Sequence, residues 1–283
     1  MKEGNPMKRL IAADSSCDMK EIPGVLAIAP LTIQLGDKDF VDDKNLNTET
    51  LMEAIQAHKG RSSTACPNVQ AWADAFLQAD ETFVVTMTSA LSGTYNSARV
   101  AMEMVKAEHP EKKIDLLDSL STGPEMRLLV EKLEELIQDP SLDFDAVCAK
   151  IREYKTHTKL FYVLQSLHNM AENGRVSKLV AGAVDILGMR IIATASREGT
   201  VQSLSKCRGD RHAMEKLLVH LEEAGYSGGR FRIGHIGNPE GAKRLEDAIL
   251  SRWPQAQVLC YPSGGLCTYY AEKGGLMIGA ECR

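Results

Sequence analysis

The segment best suited to chemistry is the polar loop at residues 88–95, which follows a β-branched run and precedes a helical pattern. In an open α/β sheet such a loop lies beyond the carboxyl end of a strand, where the next helix presents free N–H groups and the positive end of its dipole. Gly93 lets the backbone approach a ligand closely, and Ser92 and Thr94 add hydroxyl groups. The loop therefore predicts a site for an anionic head group, although a helix cap at Ser92 or Thr94 explains the same residues.

Three further hydroxyl-bearing segments are expected at comparable turns of the same sheet. They lie at residues 14–16, 62–64 and 118–119. Loops that converge on one sheet edge form a polar pocket that a single loop cannot form, whereas each loop taken alone is also an ordinary turn.

Two segments in the second half of the chain add donors. Arg175 follows the tight turn Asn173-Gly174, and a guanidinium held there offers a planar fork of donors to a carboxylate or phosphate. Ser263 and Gly264 belong to a Ser-Gly-Gly stretch that is either a hairpin turn or a second source of N–H and hydroxyl groups for the same ligand.

Enzyme signatures are few. The chain contains no G-x-G-x-x-G after a strand, no G-x-x-x-x-G-K-[ST] and no G-x-S-x-G around Ser92. A serine-dependent hydrolase or transferase would require the fold to bring a base such as His168 or His235 to Ser92. The seven cysteines and seven histidines have neither C-x-x-C nor H-E-x-x-H spacing, so we predict reduced thiols, no metal and no cofactor.

Composition excludes several classes of partner. The 283 residues carry a net charge of −5, with basic and acidic residues interspersed, which argues against nucleic acid. The longest apolar stretches, such as residues 179–184, are too short to span a bilayer, and the N-terminus lacks the apolar region of a signal peptide. We therefore expect a cytoplasmic protein without stable membrane insertion, in which residues 1–6 are an extension before Met7.

Periodicity in the first half predicts alternating strands and helices. Strands are expected at 10–13, 82–87 and 114–117, with another within 25–35, and helices at 48–58, from 69 after an Asn68 cap, from the 88–95 loop to about 106, at 125–137 and at 146–154. Such alternation favours a mostly parallel sheet with helices on both faces.

The second half predicts a separate α/β unit that begins near residues 155–160. Strands are expected at 159–164, 231–236, 257–261 and 275–279, the last two joined through 263–265, with a hairpin of 189–195 and 201–206 and helices at 165–172, 211–224 and 239–250. The predicted fold class is two-domain α/β: an N-terminal, mostly parallel α/β/α domain at 7–156 and a C-terminal α/β domain with a mixed sheet at 157–283.

Taken together, these segments resemble the DegV family of bacterial fatty-acid-binding proteins from Met7 onward. The most specific matches are Leu-Ser-Gly-Thr-Tyr at 91–95 and Gly-Arg-Val-Ser at 174–177, which occur in the family's order and spacing. Matches also occur at residues 11–16, at Thr64 with Pro67, at 118–119, and at 235–239 followed by Ala242.

The resemblance implies that one long-chain fatty acid is buried between the two domains. Hydroxyls corresponding to Thr64 and Ser92 would hold its carboxylate, Gly93 would contribute backbone, and Arg175 would lie near the head group. Family members with an assigned role present the fatty acid to a separate fatty acid kinase, so this chain would carry no catalytic residue. A lipid carrier or sensor without a kinase partner is the alternative within the same class.

Two departures from the family pattern set further expectations. The family's T-S-x-P is Thr64-Ala65-Cys66-Pro67 here, which removes one hydroxyl, and we expect residues 260–265 to replace the family's H-T-G-P-G-A, with Ser263 or Tyr261 as substitute donor. The predicted ligand-binding residues are Thr64, Ser92, Gly93, Arg175, Ser263 and Gly264, with Ser15, Thr94 and Ser119 as outer candidates.

Overall fold

The computed structural model describes residues 7–177 and 188–282. The interpretations of residues 1–6 and 179–184 lie outside these ranges.

The first large sheet is parallel throughout, with strand order β2-β1-β6-β7. Its strands are β1 (Arg9–Asp14), β2 (Leu26–Ala29), β6 (Glu81–Thr86) and β7 (Lys113–Asp118). The strands predicted at 10–13, 82–87 and 114–117 are therefore confirmed, and so is the parallel arrangement.

Helices cover both faces of this sheet, because successive side chains of each strand point to opposite sides. The helices are α2 (Val69–Phe76), α3 (Thr94–Glu108), α4 (Gly123–Gln138) and α5 (Phe144–Lys155), and the Asn68 carboxamide caps α2 as predicted. Leu10, Ala12 and Val84 pack against α2 and α3, whereas Ile11 and Phe83 pack against α4 and α5.

A small antiparallel sheet, not predicted from the sequence, occupies residues 32–65. It comprises β3 (Thr32–Leu35), β4 (Lys38–Val41) and β5 (Ser62–Ala65) in the order β4-β3-β5. Helix α1 (Thr48–Ala57) connects β4 to β5. Residues 62–64, expected to be a loop at the edge of the large sheet, are instead strand β5, which pairs with β3 from Ser62↔Leu35 to Ala65↔Thr32. Strand β5 is short and polar, so its composition is that of a turn, and only its pairing with β3 shows that it is a strand.

The second large sheet is mixed, with strand order β10-β9-β8-β13-β11-β12, and only β11 and β12 are parallel neighbours. Its strands are β8 (Thr158–Leu164), β9 (Met189–Ala195), β10 (Val201–Arg208), β11 (Tyr226–His235), β12 (Gln257–Pro262) and β13 (Leu276–Cys282). Helices α6 (His168–Glu172), α7 (Asp210–Glu223), α8 (Pro239–Arg252) and α9 (Gly265–Ala271) connect them. The predicted mixed sheet and the 189–206 hairpin are confirmed, and the predicted boundary at 156/157 falls between α5 and β8.

Residues 263–265 do not form a hairpin turn, contrary to expectation. Strand β13 lies between β8 and β11, whereas β12 is at the sheet edge, and α9 connects the two. The Asp42 carboxylate accepts hydrogen bonds from the N–H groups of Gly265 (2.7 Å) and Leu266 (2.9 Å) and so caps this helix from the other half of the chain. From the sequence alone this stretch looks like a turn, because it contains two adjacent glycines and the residue that caps the helix lies far away in the chain.

The two halves meet through helix α4. Gly279 on β13 packs directly on the first turn of α4, where an added Cβ would lie 2.4 Å from the Pro124 carbonyl. This close backbone approach joins the second sheet to the helix layer of the first. No helix within residues 7–177 and 188–282 combines the length and hydropathy needed to cross a bilayer.

Candidate ligand-binding site

A small, largely apolar cavity lies between the two halves. Both halves contribute to its wall, which includes Met170, Leu266 and Met277. The remaining lining residues are Met87, Leu91, Thr122, Tyr162, Arg175, Val201, Cys267, Tyr270 and Ala271.

The charged member of this wall is Arg175, which follows the left-handed Gly174 (φ +72°) as the sequence suggested. Its Nε donates to the Leu91 carbonyl at 3.1 Å, and its guanidinium also bonds the Asn173 carbonyl. Arg175 thereby connects the turn at 173–174 to the 88–95 loop. The guanidinium gives the cavity a site that favours an anion.

Thr64 reaches the same region through a tyrosine. Its Oγ1 lies 2.8 Å from Oη of Tyr270, and Tyr270 lines the cavity together with Arg175. Burial raises the pKa of Tyr270, opposed by the Thr64 hydrogen bond and the charge of Arg175. The phenol therefore stays protonated near neutral pH and can donate to a carboxylate.

The 88–95 loop lies beside the end of β5. Ser92 Oγ is 2.8 Å from Thr94 Oγ1, and it also accepts from the Thr94 N–H at 3.3 Å. Gly93 lies next to Cys66, since an added Cβ would make an ordinary van der Waals contact of 3.5 Å with its Sγ. Ser92 therefore makes the local contact that a helix cap would make, which was the alternative to an anion site. The fold also brings it beside the segment that carries Thr64.

A buried hydrogen-bond network supports these residues. The Asn173 amide donates to the Asn169 carbonyl and to Oη of Tyr269, both at 2.9 Å. Because a carbonyl only accepts, the Asn173 nitrogen must face it, so the Tyr269 oxygen accepts from Asn173 and its proton points to Ser62 Oγ at 2.6 Å. The network thus joins the Arg175 turn to strand β5, two residues before Thr64.

Sequence reasoning missed Tyr270. The family's histidine was sought at residues 260–265, yet the aromatic hydroxyl that reaches Thr64 comes from α9. One signal was available: Gly274 and Gly275 follow Tyr270 at the distances at which Gly and Ala follow the histidine in H-T-G-P-G-A. Tyr261 lies elsewhere, under the guanidinium of Arg127 with 4.3 Å between Cζ and the ring centroid.

Ser263, Gly264 and Ser15 gather around a second, acidic cluster. The Gly264 N–H donates to Asp18 at 2.9 Å, and Ser15 Oγ accepts from the Leu31 N–H at 3.1 Å. Burial raises the pKa of Asp18 to about 7 and that of the neighbouring Asp14 to about 6. The structure thus separates these candidates from Thr64 and Arg175, and their part in ligand binding stays a prediction. Within the described part of the chain, no group of three or more side chains suited to a metal ion is present.

Ser119 organises a turn. Its Oγ donates to the Ser121 carbonyl and accepts from the Ser121 N–H, both at 3.1 Å. The intervening Leu120 adopts a φ of +50°, a value uncommon outside glycine, which these two bonds help to hold.

The serine-nucleophile alternative finds no partner in this geometry. The side-chain partner of Ser92 is Thr94, and no histidine in residues 7–177 or 188–282 hydrogen-bonds the serine. His168 begins α6, and the half-buried His235 ends β11 as the sequence suggested, with burial lowering its pKa.

Fold and cavity together define a two-lobed α/β protein with a largely apolar cavity between its lobes and one arginine in the cavity wall. The chain belongs to the DegV family, whose model, described as an uncharacterised protein family, matches residues 8–281.

Relatives agree in sequence and in structure. A DegV domain-containing protein of Streptococcus pneumoniae, spr0652, is 40% identical over 276 residues, which cover 96% of this chain and 98% of the relative. A Eubacterium eligens DegV protein loaded with heptadecanoic acid is 44% identical with a TM-score of 0.94, covering 97% of this chain and 100% of that chain. The Streptococcus pneumoniae fatty acid kinase (Fak) B3 protein loaded with linoleic acid is 40% identical with a TM-score of 0.95, covering 98% and 100%.

Proposed function

We propose that this chain binds one long-chain fatty acid in the cavity between its lobes and presents it to a separate fatty acid kinase in the cytoplasm. Thr64, Ser92, the Gly93 backbone and Arg175 hold the carboxylate, and Tyr270 joins them as a donor. The observation that carries the proposal is an apolar cavity whose wall contains Arg175 and the Thr64-bonded Tyr270.

The energetics fit a lipid. Burying an acyl chain contributes about 0.8 kcal/mol per methylene, so about 14 methylenes contribute roughly 11 kcal/mol before the costs of binding. Each hydrogen bond to the charged head group adds roughly 1.5 to 3 kcal/mol. The tail therefore supplies most of the affinity, and the polar residues fix which end of the molecule faces the 88–95 loop.

Access by a partner is supported by the exposure of the residues around the head-group end. Gly93 and Gly174 are exposed, and space is open around the Gly174 Cα. Glycines let another protein's backbone or nucleotide approach closely. The phosphoryl-transfer chemistry would then belong to the partner, and this chain would hold the acceptor carboxylate in place.

Mass spectrometry of an organic extract of the purified protein tests the lipid proposal. We expect a long-chain fatty acid at close to one per chain, or uptake to that ratio when fatty acid is added to delipidated protein. A folded protein that yields no lipid and takes up none would overturn the proposal.

The kinase partner is tested separately, by incubating the loaded protein with ATP and the fatty acid kinase of the same host. Acyl phosphate formation that depends on both proteins is the expected result. If the lipid binds but neither acyl phosphate nor a complex with the kinase forms, the chain is a carrier or sensor. Labelling of Ser92 by an active-site serine probe would instead favour the hydrolase alternative.

A further inference from the structure

The apolar cavity contains two hydroxyl groups that are separate from the head-group residues. Thr122 and Tyr162 both line it, with 9% and 2% of their surfaces exposed. Thr122 Oγ1 is buried without a hydrogen-bond partner. Among residues 7–177 and 188–282, no group forms a hydrogen bond with the Tyr162 hydroxyl either.

Buried hydroxyls are normally paired, since an unpaired one loses its bonds to water without replacement. The Cys267 thiol interacts with the Thr122 hydroxyl and adjoins Tyr162, but a neutral thiol is a weak hydrogen-bond partner and does not replace a bond to nitrogen or oxygen. Burial raises the pKa of Cys267 and of Tyr162, so both stay protonated at neutral pH. The pair therefore retains unused donors and acceptors inside an otherwise apolar space.

The fold holds both side chains rigidly. Tyr162 lies on the interior strand β8, opposite Met277 on β13 and Ala193 on β9. Thr122 occupies the N-cap position of α4 but makes no capping hydrogen bond, unlike Asn68 at the start of α2. The following Gly123 has a φ of +55°, and an added Cβ there would lie 2.7 Å from Met277 Cε. The Thr122 hydroxyl is thus not used by the N-terminus of α4.

We infer that the cavity accepts an oxygenated acyl chain, a long-chain fatty acid whose hydroxyl along the chain hydrogen-bonds Thr122 and Tyr162. The inference deepens the proposed function, because it names the class of fatty acid that the same cavity selects. A hydroxyl of the ligand donates to one residue and accepts from the other, whereas a methylene at that position leaves both unpaired. A site built to pair a hydroxyl discriminates strongly against an analogue that lacks it.

The test compares stearic acid with a series of hydroxystearic acids that differ in the position of the hydroxyl group. Methyl-branched stearic acids control for bulk, since a methyl group is close in size to a hydroxyl. We expect at least one hydroxy acid to bind about tenfold more tightly than stearic acid, the size of one added hydrogen bond. The methyl acid of the same position should show no such gain.

Thr122→Val and Tyr162→Phe remove the hydroxyls with little change of shape. Each should reduce the preference for the hydroxy acid over stearic acid to less than threefold. Unmodified protein that binds stearic acid as tightly as every hydroxy acid would overturn the inference while the proposed function stands. If no fatty acid of any kind binds, both fail together. Thermal unfolding followed by circular dichroism reports whether a variant has kept its fold.

Discussion

Thr64 on β5 and Tyr270 on α9 form a hydrogen bond of 2.8 Å across 206 residues of sequence. The bond joins the small antiparallel sheet to the helix that follows β12, and the cavity lined by Tyr270 begins beside it. A carboxylate at this point would meet one hydroxyl from each half of the chain, so the head-group end of the site forms only when the halves are packed together.

Removing the phenol tests that relationship. Tyr270→Phe keeps the ring and deletes the donor, and we expect affinity for a long-chain fatty acid to fall about tenfold in a fluorescent fatty-acid displacement assay. Tyr226→Phe is the matched control, because its buried hydroxyl bonds the Gly229 carbonyl within β11. Equal affinities of the two variants would argue against a head-group role for Tyr270.

Thr64→Ala combined with Ser92→Ala removes two hydroxyls from the proposed clamp. We expect affinity to fall by about a hundredfold or more, since two bonds to a charged group are lost while the apolar wall is intact. The same displacement assay measures the change, and Ser141→Ala, which removes an exposed hydroxyl from the α4–α5 turn, is the control. Affinity that stays within twofold of the unmodified protein would exclude this head-group site.

Tyr269 is expected to act through its neighbours. Tyr269→Phe breaks the bonds to Ser62 and Asn173, so the Arg175 turn and β5 lose their common support. Affinity for the fatty acid should fall about five- to tenfold, while affinity for the fatty alcohol of the same length should change less than twofold. The alcohol lacks the carboxylate that Arg175 would hold. A loss of equal size for both ligands would indicate general damage to the cavity.

The acidic cluster predicts the pH dependence of stability. Burial raises the Asp18 pKa to about 7, above the value of 3.8 for an exposed group, so the folded state binds the proton more tightly than the unfolded chain. The stabilising contribution is fully present below about pH 4 and is lost as pH rises to about 7. The free energy of unfolding should therefore fall between pH 5 and pH 8.

Asp18→Asn should remove much of that fall. Asparagine tolerates the left-handed φ of 55°, its oxygen can still accept from the Gly264 N–H, and its nitrogen can donate to the neighbouring Ser263 Oγ. Denaturant unfolding should show the variant to be more stable than the unmodified protein at pH 8 by on the order of 2 kcal/mol. The exposed Asp37→Asn is the control, and an unchanged pH slope in Asp18→Asn would refute the assignment.

Features that depend on neighbours in sequence were predictable. The apolar run of β1, the β-branched run of β6, the Asn68 cap of α2 and the hairpin at 189–206 are local patterns, and each element appears within a few residues of its expected bounds. The chain's place in the DegV family was likewise evident from the 91–95 and 174–177 segments. Arg175 lines the cavity as its position after a tight turn suggested.

What only the tertiary structure decided is which distant segments meet. Ser263 and Gly264 looked equivalent to Ser92 and Gly93 as loop residues, yet strand order sends the first pair to Asp18 and the second pair to the segment after β5. In the sequence Tyr270 looks like any aromatic residue of the core. In the structure it lies on α9, which Asp42 caps from the other half of the chain, and its hydroxyl bonds Thr64. Strand order, register and capping at a distance arise from packing of the whole chain, because local periodicity fixes the face of a residue but not its partner.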